Sequence, residues 1–139
     1  MTGSCICGAT TVTIDQAPTF IHDCNCSLCR RSGAGWGYFS GSEVSATGET
    51  LSIERKDKAM ASVTVHACSS CGTTTHFTLS EAFLKDNPEA DQVGVNMKLF
   101  EGSELEGVEV RFPDGASWSG SGEFGYRRDP ITISADSAW

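Results

Sequence analysis

Three features of the sequence predict an all-β fold: short β-branched runs that alternate apolar and polar, turn residues between nearly all of them, and a single helical segment. The first run is Thr10-Thr11-Val12-Thr13-Ile14, alternating as a half-buried strand does. Trp36-Gly37-Tyr38-Phe39 is aromatic enough to be the next, after glycines at 33 and 35. Leu51-Ser52-Ile53 and Ser62-Val63-Thr64-Val65 follow, set off by Gly41-Ser42 and Thr47-Gly48. Ser80 to Lys85 reads as one or two helical turns, with Ser80 as cap, Glu81 at the positive end and Asn87-Pro88 as the stop. Strands resume at Val93–Met97, Val108–Phe112 and Ile131–Ile133. Between the last two, Pro113-Asp114-Gly115 marks a turn, and the Gly/Ser-rich stretch 116–125 reads as a long hairpin or a mobile loop. Many short strands with frequent turns suit a sandwich or open barrel.

A length of 139 residues suits one domain spanning 1–139, and 39% apolar with 20% charged residues is a globular composition. The net charge of −8 argues against nucleic acid and anionic membranes as partners, because both need clustered Lys and Arg. Met1-Thr2-Gly3-Ser4-Cys5 lacks a basic start followed by an apolar run, and no stretch approaches the roughly 18 apolar residues of a membrane helix. The expected location is therefore the cytoplasm.

Seven cysteines in such a chain need a reason. An odd count in a reducing compartment does not suit a disulfide framework, and scattered core cysteines do not fall into three tight clusters. The clusters are Cys5-Ile6-Cys7-Gly8, Cys24-Asn25-Cys26-Ser27-Leu28-Cys29 and Cys68-Ser69-Ser70-Cys71-Gly72. Thiolates this close suit tetrahedral zinc, and two zinc ions per chain are expected. The first and third clusters both end in Cys-Gly, and glycine allows the positive φ that turns backbone N–H groups toward sulfur. Together Cys5, Cys7, Cys68 and Cys71 make a closed site, whose binding free energy becomes folding free energy. Cys24, Cys26 and Cys29 are left with three thiolates and an open fourth position, the pattern of a catalytic zinc. Zinc with three thiolates carries a net −1, so this centre favours activation of a thiol over polarisation of a carbonyl. A histidine is the alternative fourth ligand: His22, two residues before Cys24, or His66 or His76 beside the third cluster.

At these residues the sequence resembles the glutathione-dependent formaldehyde-activating enzyme family, which includes the centromere-protein-V-like proteins. The family's Gly-x-Cys-x-Cys-Gly, Cys-His-Cys-x-x-Cys-Arg and Phe-Cys-x-x-Cys-Gly elements are matched by residues 3–8, 24–30 and 67–72. Asn25 stands where the family usually has histidine, and Ala67 where it has phenylalanine. The resemblance implies a β-tent fold, a structural zinc on Cys5, Cys7, Cys68 and Cys71, and a catalytic zinc on Cys24, Cys26 and Cys29. It implies a carbon–sulfur lyase or synthase that joins glutathione to formaldehyde. Arg30 and Arg31 are candidates to hold a glutathione carboxylate, since Arg binds carboxylates bidentately. Trp36, Tyr38 and Phe39 are candidate pocket walls, with the pocket completed by the half of the chain after Ser80. The expected partners are a small thiol and an aldehyde, with no nucleic acid and no membrane, on a monomer or homodimer. Two other functions fit the same residues: a non-catalytic zinc module for a partner protein, and a stoichiometric trap for electrophiles.

Overall fold

The computed structural model describes residues 1–136 and Trp139. Its elements are β1 (Thr2–Ser4), β2 (Thr11–Ile14), β3 (Phe20–His22), α1 (Ser27–Ser32), β4 (Trp36–Phe39), β5 (Val44–Thr47) and β6 (Thr50–Glu54). They continue with β7 (Val63–Cys68), β8 (Thr74–Leu79), α2 (Glu81–Asp86), β9 (Val93–Asn96), β10 (Glu109–Arg111) and β11 (Ile131–Thr132). A three-stranded sheet runs β1-β2-β5, and an eight-stranded sheet runs β11-β10-β3-β4-β9-β8-β7-β6. The fold is all-β with two short helices, as the alternating runs predict. Every described pair is antiparallel except β3 with β10, which lie parallel, Ile21 opposite Val110. α2 forms where the sequence places it: Ser80 caps it by accepting the Phe83 N–H at 3.1 Å, and Asn87 ends it.

Strand alternation sorts side chains onto two cores. Val12, Ile14, Ile21, Phe39, Val95, Met97, Val110 and Phe112 fill the main one, drawn from both sheets and from the 97–112 segment. Trp36, Val65 and Phe77 form a smaller one on the other face, and Cys29 and Ala34 pack into it. β4 therefore divides its aromatic residues. Trp36 and Tyr38 join the second cluster, whereas Phe39 is buried in the main core, on the other face from the two it was expected to join as a pocket wall. Gly94 on β9 is what lets Phe77 lie flat, because a Cβ there would overlap the Phe77 ring.

On β7 and β8 the imidazoles of His66 and His76 stack at 4.4 Å and 10°, and Thr75 Oγ1 lies 3.0 Å from His76 Nδ1. Burial, with the neighbouring His66 adding to it, lowers the His76 pKa from 6.5 to about 4. The folded state then binds fewer protons than the unfolded chain between those values. The contribution of His76 to stability is thus complete above about pH 6.5 and is lost as pH falls toward 4. Urea midpoints measured across pH 6.5 to 4 should accordingly fall more steeply for the wild type than for His76→Asn. Parallel curves would refute the assignment.

Candidate metal centres and the cavity beside them

Cys5 follows β1, and the chain turns at once so that the Gly8 N–H reaches the Cys5 carbonyl at 3.0 Å. Cys68 ends β7, and the same device returns in the Gly72 N–H to Cys68 carbonyl bond at 2.9 Å. Gly8 and Gly72 have φ of +76° and +75°, the left-handed conformation that glycine adopts without strain. The two turns bring the Sγ atoms of Cys5, Cys7, Cys68 and Cys71 within 4.8 Å of one another. Cys5 and Cys7 are 3.5 Å apart and Cys7 and Cys68 3.8 Å. A zinc–sulfur distance of about 2.3 Å gives a tetrahedral edge of about 3.8 Å, so the donor set fits a four-coordinate ion. The Thr10 N–H donates to Cys5 Sγ at 3.2 Å. Hydrogen bonds from the Thr73 side chain and backbone lower the Cys71 pKa to about 5.

The second cluster rests on the smaller core. Cys24 lies just beyond β3, Cys26 precedes the first residue of α1, and Cys29 is buried inside that helix. α1 ends at Gly33, with φ +67°. The three Sγ atoms also lie within 4.8 Å of one another, with Cys26 and Cys29 at 3.4 Å. Among the described residues no histidine, carboxylate or further cysteine joins them. Three thiols this close cannot share charge evenly. Hydrogen bonds from Cys24 and Cys29 hold Cys26 far below the usual thiol range, while hydrogen bonds to Cys24 and Cys26, with burial, push Cys29 up. Three sulfurs held this close form a donor set that a soft or borderline cation suits. The Trp36 indole N–H donates to Cys29 Sγ at 3.3 Å, and the Cys26 N–H to Cys24 Sγ at 3.4 Å. Each cluster could hold one metal ion, and both donor sets are consistent with zinc.

A cavity of about 190 Å³ opens beside Cys24, Cys26 and Cys29. Trp36, Tyr38, Val63 and Phe77 wall it from the sheet, and Pro113, Gly115, Trp118 and Phe124 from the far end of the chain. His22 lines it too, with Nδ1 3.2 Å from the Tyr38 hydroxyl and Nε2 buried without a partner. Burial, and then the nearby Arg111 charge, keep this imidazole neutral, with its pKa lowered to about 4. Asn25 fastens the far loop to the site. Its Nδ2 donates to Asp114 at 2.6 Å and its Oδ1 accepts from the Ala116 N–H at 2.9 Å. Between those anchors Gly115 lies against the cluster, where a Cβ would overlap Cys24 Sγ and stand 3.1 Å from Cys26 Cβ.

Two further cavities flank α1, and the smaller of them touches the same cysteines. A groove of about 640 Å³ runs between α1 and the β6–β7 floor, lined by Leu28, Arg31, Ile53, Arg55, Lys56 and Ala67 among others. A smaller one, about 230 Å³, touches Cys24 and Cys29 from behind, with Arg30, Lys98 and Arg127. Arg30 and Arg31 are thus parted by the helix: both are exposed, and Arg31 pairs with Asp57 at 3.3 Å. Arg55, which the motifs do not reveal, is the better placed cation. It lines both the groove and the aromatic cavity, and it is held by Asp57 at 2.8 Å and Ser27 at 2.6 Å. The charge distribution is lopsided. Arg30, Arg31, Arg55, Lys56, Lys58, Lys98 and Arg127 line the three cavities, against only Asp23 and Asp57, in a chain of net charge −8.

Residues 1–105 match the family model described as glutathione-dependent formaldehyde-activating enzyme. The chain belongs to this family. A crystal structure of a Rhodobacter sphaeroides protein is similar in fold, with a TM-score of 0.56 at 24% identity, covering 73% of this chain and 89% of that one. No curated protein matches. All seven cysteines fall inside the segment that the formaldehyde-activating family model covers, whereas the Pro113–Phe124 wall lies beyond it. Two departures from the usual family pattern acquire a structural setting. Asn25 clamps the loop, and Ala67 lies on the floor of the groove, where its small side chain leaves the space open. No helix among the described residues is long and apolar enough to cross a membrane.

Proposed function

We propose that the protein is a zinc-dependent carbon–sulfur lyase or synthase that joins a small anionic thiol of the glutathione type to an aldehyde, in the cytoplasm. The observation that carries this reading is the Cys24, Cys26 and Cys29 cluster, three sulfurs with no fourth protein donor among the described residues, facing a cavity. Bound there, zinc supplies a cation that keeps a fourth, incoming sulfur ionised near neutral pH. The chain's own groups do the rest. The Trp36 N–H on Cys29 Sγ and the Cys26 N–H on Cys24 Sγ orient the sulfurs and draw off part of their charge. Arg55 and Lys58 at the cavity, with Arg31 and Lys56 along the groove, attract and orient the carboxylates of the thiol. The substrate sulfur then attacks the aldehyde carbon. A carbon–sulfur bond forms, the carbonyl π pair moves to oxygen, and that oxygen takes up the proton the thiol released. No oxidant is consumed, and the reverse course is the lyase reaction.

Zinc stoichiometry on protein purified under reducing conditions tests the reading. Two zincs per chain, falling to about one in Cys26→Ser, with the labile metal perturbed by glutathione, are expected. One tightly held zinc, or two that no thiol perturbs, would leave a zinc-binding module without this chemistry.

A further inference from the structure

The open cavity is larger and more apolar than formaldehyde requires. Its volume is about 190 Å³. A dry cavity of about 150 Å³ takes a benzene molecule, whereas water, on the scale of formaldehyde, occupies about 30 Å³. The walls form two aromatic tiers. From the sheet come Trp36 and Phe77, packed edge to face at 5.0 Å, with Tyr38 6.2 Å from Phe77. From the loop come Trp118 and Phe124, 4.6 Å apart and tilted by 36°. The loop tier is held in place: Asp114 and Gly125 close its ends by an N–H to carbonyl bond of 2.7 Å, and the Trp118 indole donates to the Gly122 carbonyl at 3.1 Å. Phe124 nevertheless remains 37% exposed. An accessible aromatic at the mouth of a mostly apolar cavity is available to a ligand.

We propose that the electrophile of this site is an aldehyde with an aromatic or comparably bulky apolar body, its ring held between the sheet aromatics and the Trp118–Phe124 pair. This rests on the thiol–aldehyde reading for the chemistry but on the cavity walls for the ligand class. Contacts with the Tyr38 ring and the Trp118–Phe124 pair, backed by the buried Trp36 and Phe77, reward a ring and give nothing to a one-carbon aldehyde. The reaction balances as RSH + R′CHO giving RS–CH(OH)R′: the sulfur–carbon bond forms, the carbonyl π bond breaks, and the thiol proton ends on the new hydroxyl.

Two measurements on the zinc-loaded protein separate the ligand class from the chemistry. The unreactive mimic 2-phenylethanol should perturb tryptophan fluorescence saturably where ethanol does not, and Phe124→Ala should weaken that binding about ten-fold. With glutathione present, kcat/KM for phenylacetaldehyde should exceed that for acetaldehyde by about ten-fold or more, and the ratio should collapse in Phe124→Ala. Saturable 2-phenylethanol binding without any glutathione reaction supports the ligand class and refutes the thiol–aldehyde reading. Turnover of formaldehyde with glutathione, but no 2-phenylethanol binding and no preference for phenylacetaldehyde, overturns the ligand class and leaves that reading standing.

Discussion

Cys68→Ser is expected to abolish the cooperative folded state rather than merely to weaken it. Cys68 is fully buried at the end of β7, and its sulfur faces Cys7 at 3.8 Å across 61 residues of chain. The four-sulfur cluster thereby joins the turn after β1, on the small sheet, to the β7–β8 turn on the large one. A structural zinc contributes about 10–16 kcal/mol in small zinc domains. Whole-domain stability is only about 5–15 kcal/mol, so losing such a site exceeds what the rest of the fold can offset. Far-ultraviolet circular dichroism with metal analysis on the refolded variant should find no cooperative thermal transition and less than one zinc per chain. A variant that melts near the wild-type temperature with two zincs would remove the stapling role from this cluster. Cys26→Ser is the contrasting case, since its cluster caps a small satellite core and joins no two sheets. That variant should stay folded and lose only the second metal.

The division of the cysteines into four and three is legible in sequence because glycine is. Gly8 and Gly72 advertise two left-handed turns of one kind, and those turns bring together the four sulfurs the spacing groups. Strands with alternating β-branched residues are legible for a similar local reason. The strands that escape notice have weak local signals. β1 is Thr-Gly-Ser, with no apolar side chain, and β3 has three residues after a proline. β8 carries Thr74, Thr75 and Thr78, whose strand preference is real but whose polarity hides it in a search for apolar alternation. α1 is masked by its cysteines: only Cys29 is buried, so six residues carry no helical apolar period.

The cavity is the least legible part, because its walls meet only in three dimensions. Trp118 and Phe124 sit in a glycine- and serine-rich stretch that reads as a loop, and it is one. What sequence cannot supply is that Asn25 ties the loop down 89 residues away, through Asp114. Arg55 is hidden for the same reason. It follows an edge strand with no motif around it, and only the β6–β7 pairing carries it to the mouth of the site. Arg30 and Arg31 are visible because they adjoin Cys29. Adjacency in a helix separates side chains by about 100°, and the two arginines accordingly face different cavities.

Gly115→Ala tests whether the loop and the three-cysteine centre act as one unit. The new methyl would overlap Cys24 Sγ, while the Asp114 and Ala116 bonds to Asn25, at 2.6 and 2.9 Å, keep the loop from stepping back. One of two things must give. Either Cys24 turns away from Cys26 and Cys29, or the Asn25 clamp breaks and carries Trp118 and Phe124 off the cavity. Both outcomes displace by about 1 Å groups that the proposed reaction uses, a misplacement that costs about 100-fold in rate. The four-sulfur staple lies elsewhere and is untouched. Gly115→Ala should therefore keep one tightly held zinc and a melting temperature close to wild type, and lose about two orders of magnitude in kcat/KM for the proposed thiol–aldehyde reaction. Adding Asn25→Ala distinguishes the two routes. If the clamp is what forces the clash, releasing it lets the loop swing out, so the second zinc returns while the proposed selectivity for bulky aldehydes does not. Wild-type kinetics and two zincs in Gly115→Ala alone would mean that the loop is not seated on the centre in solution.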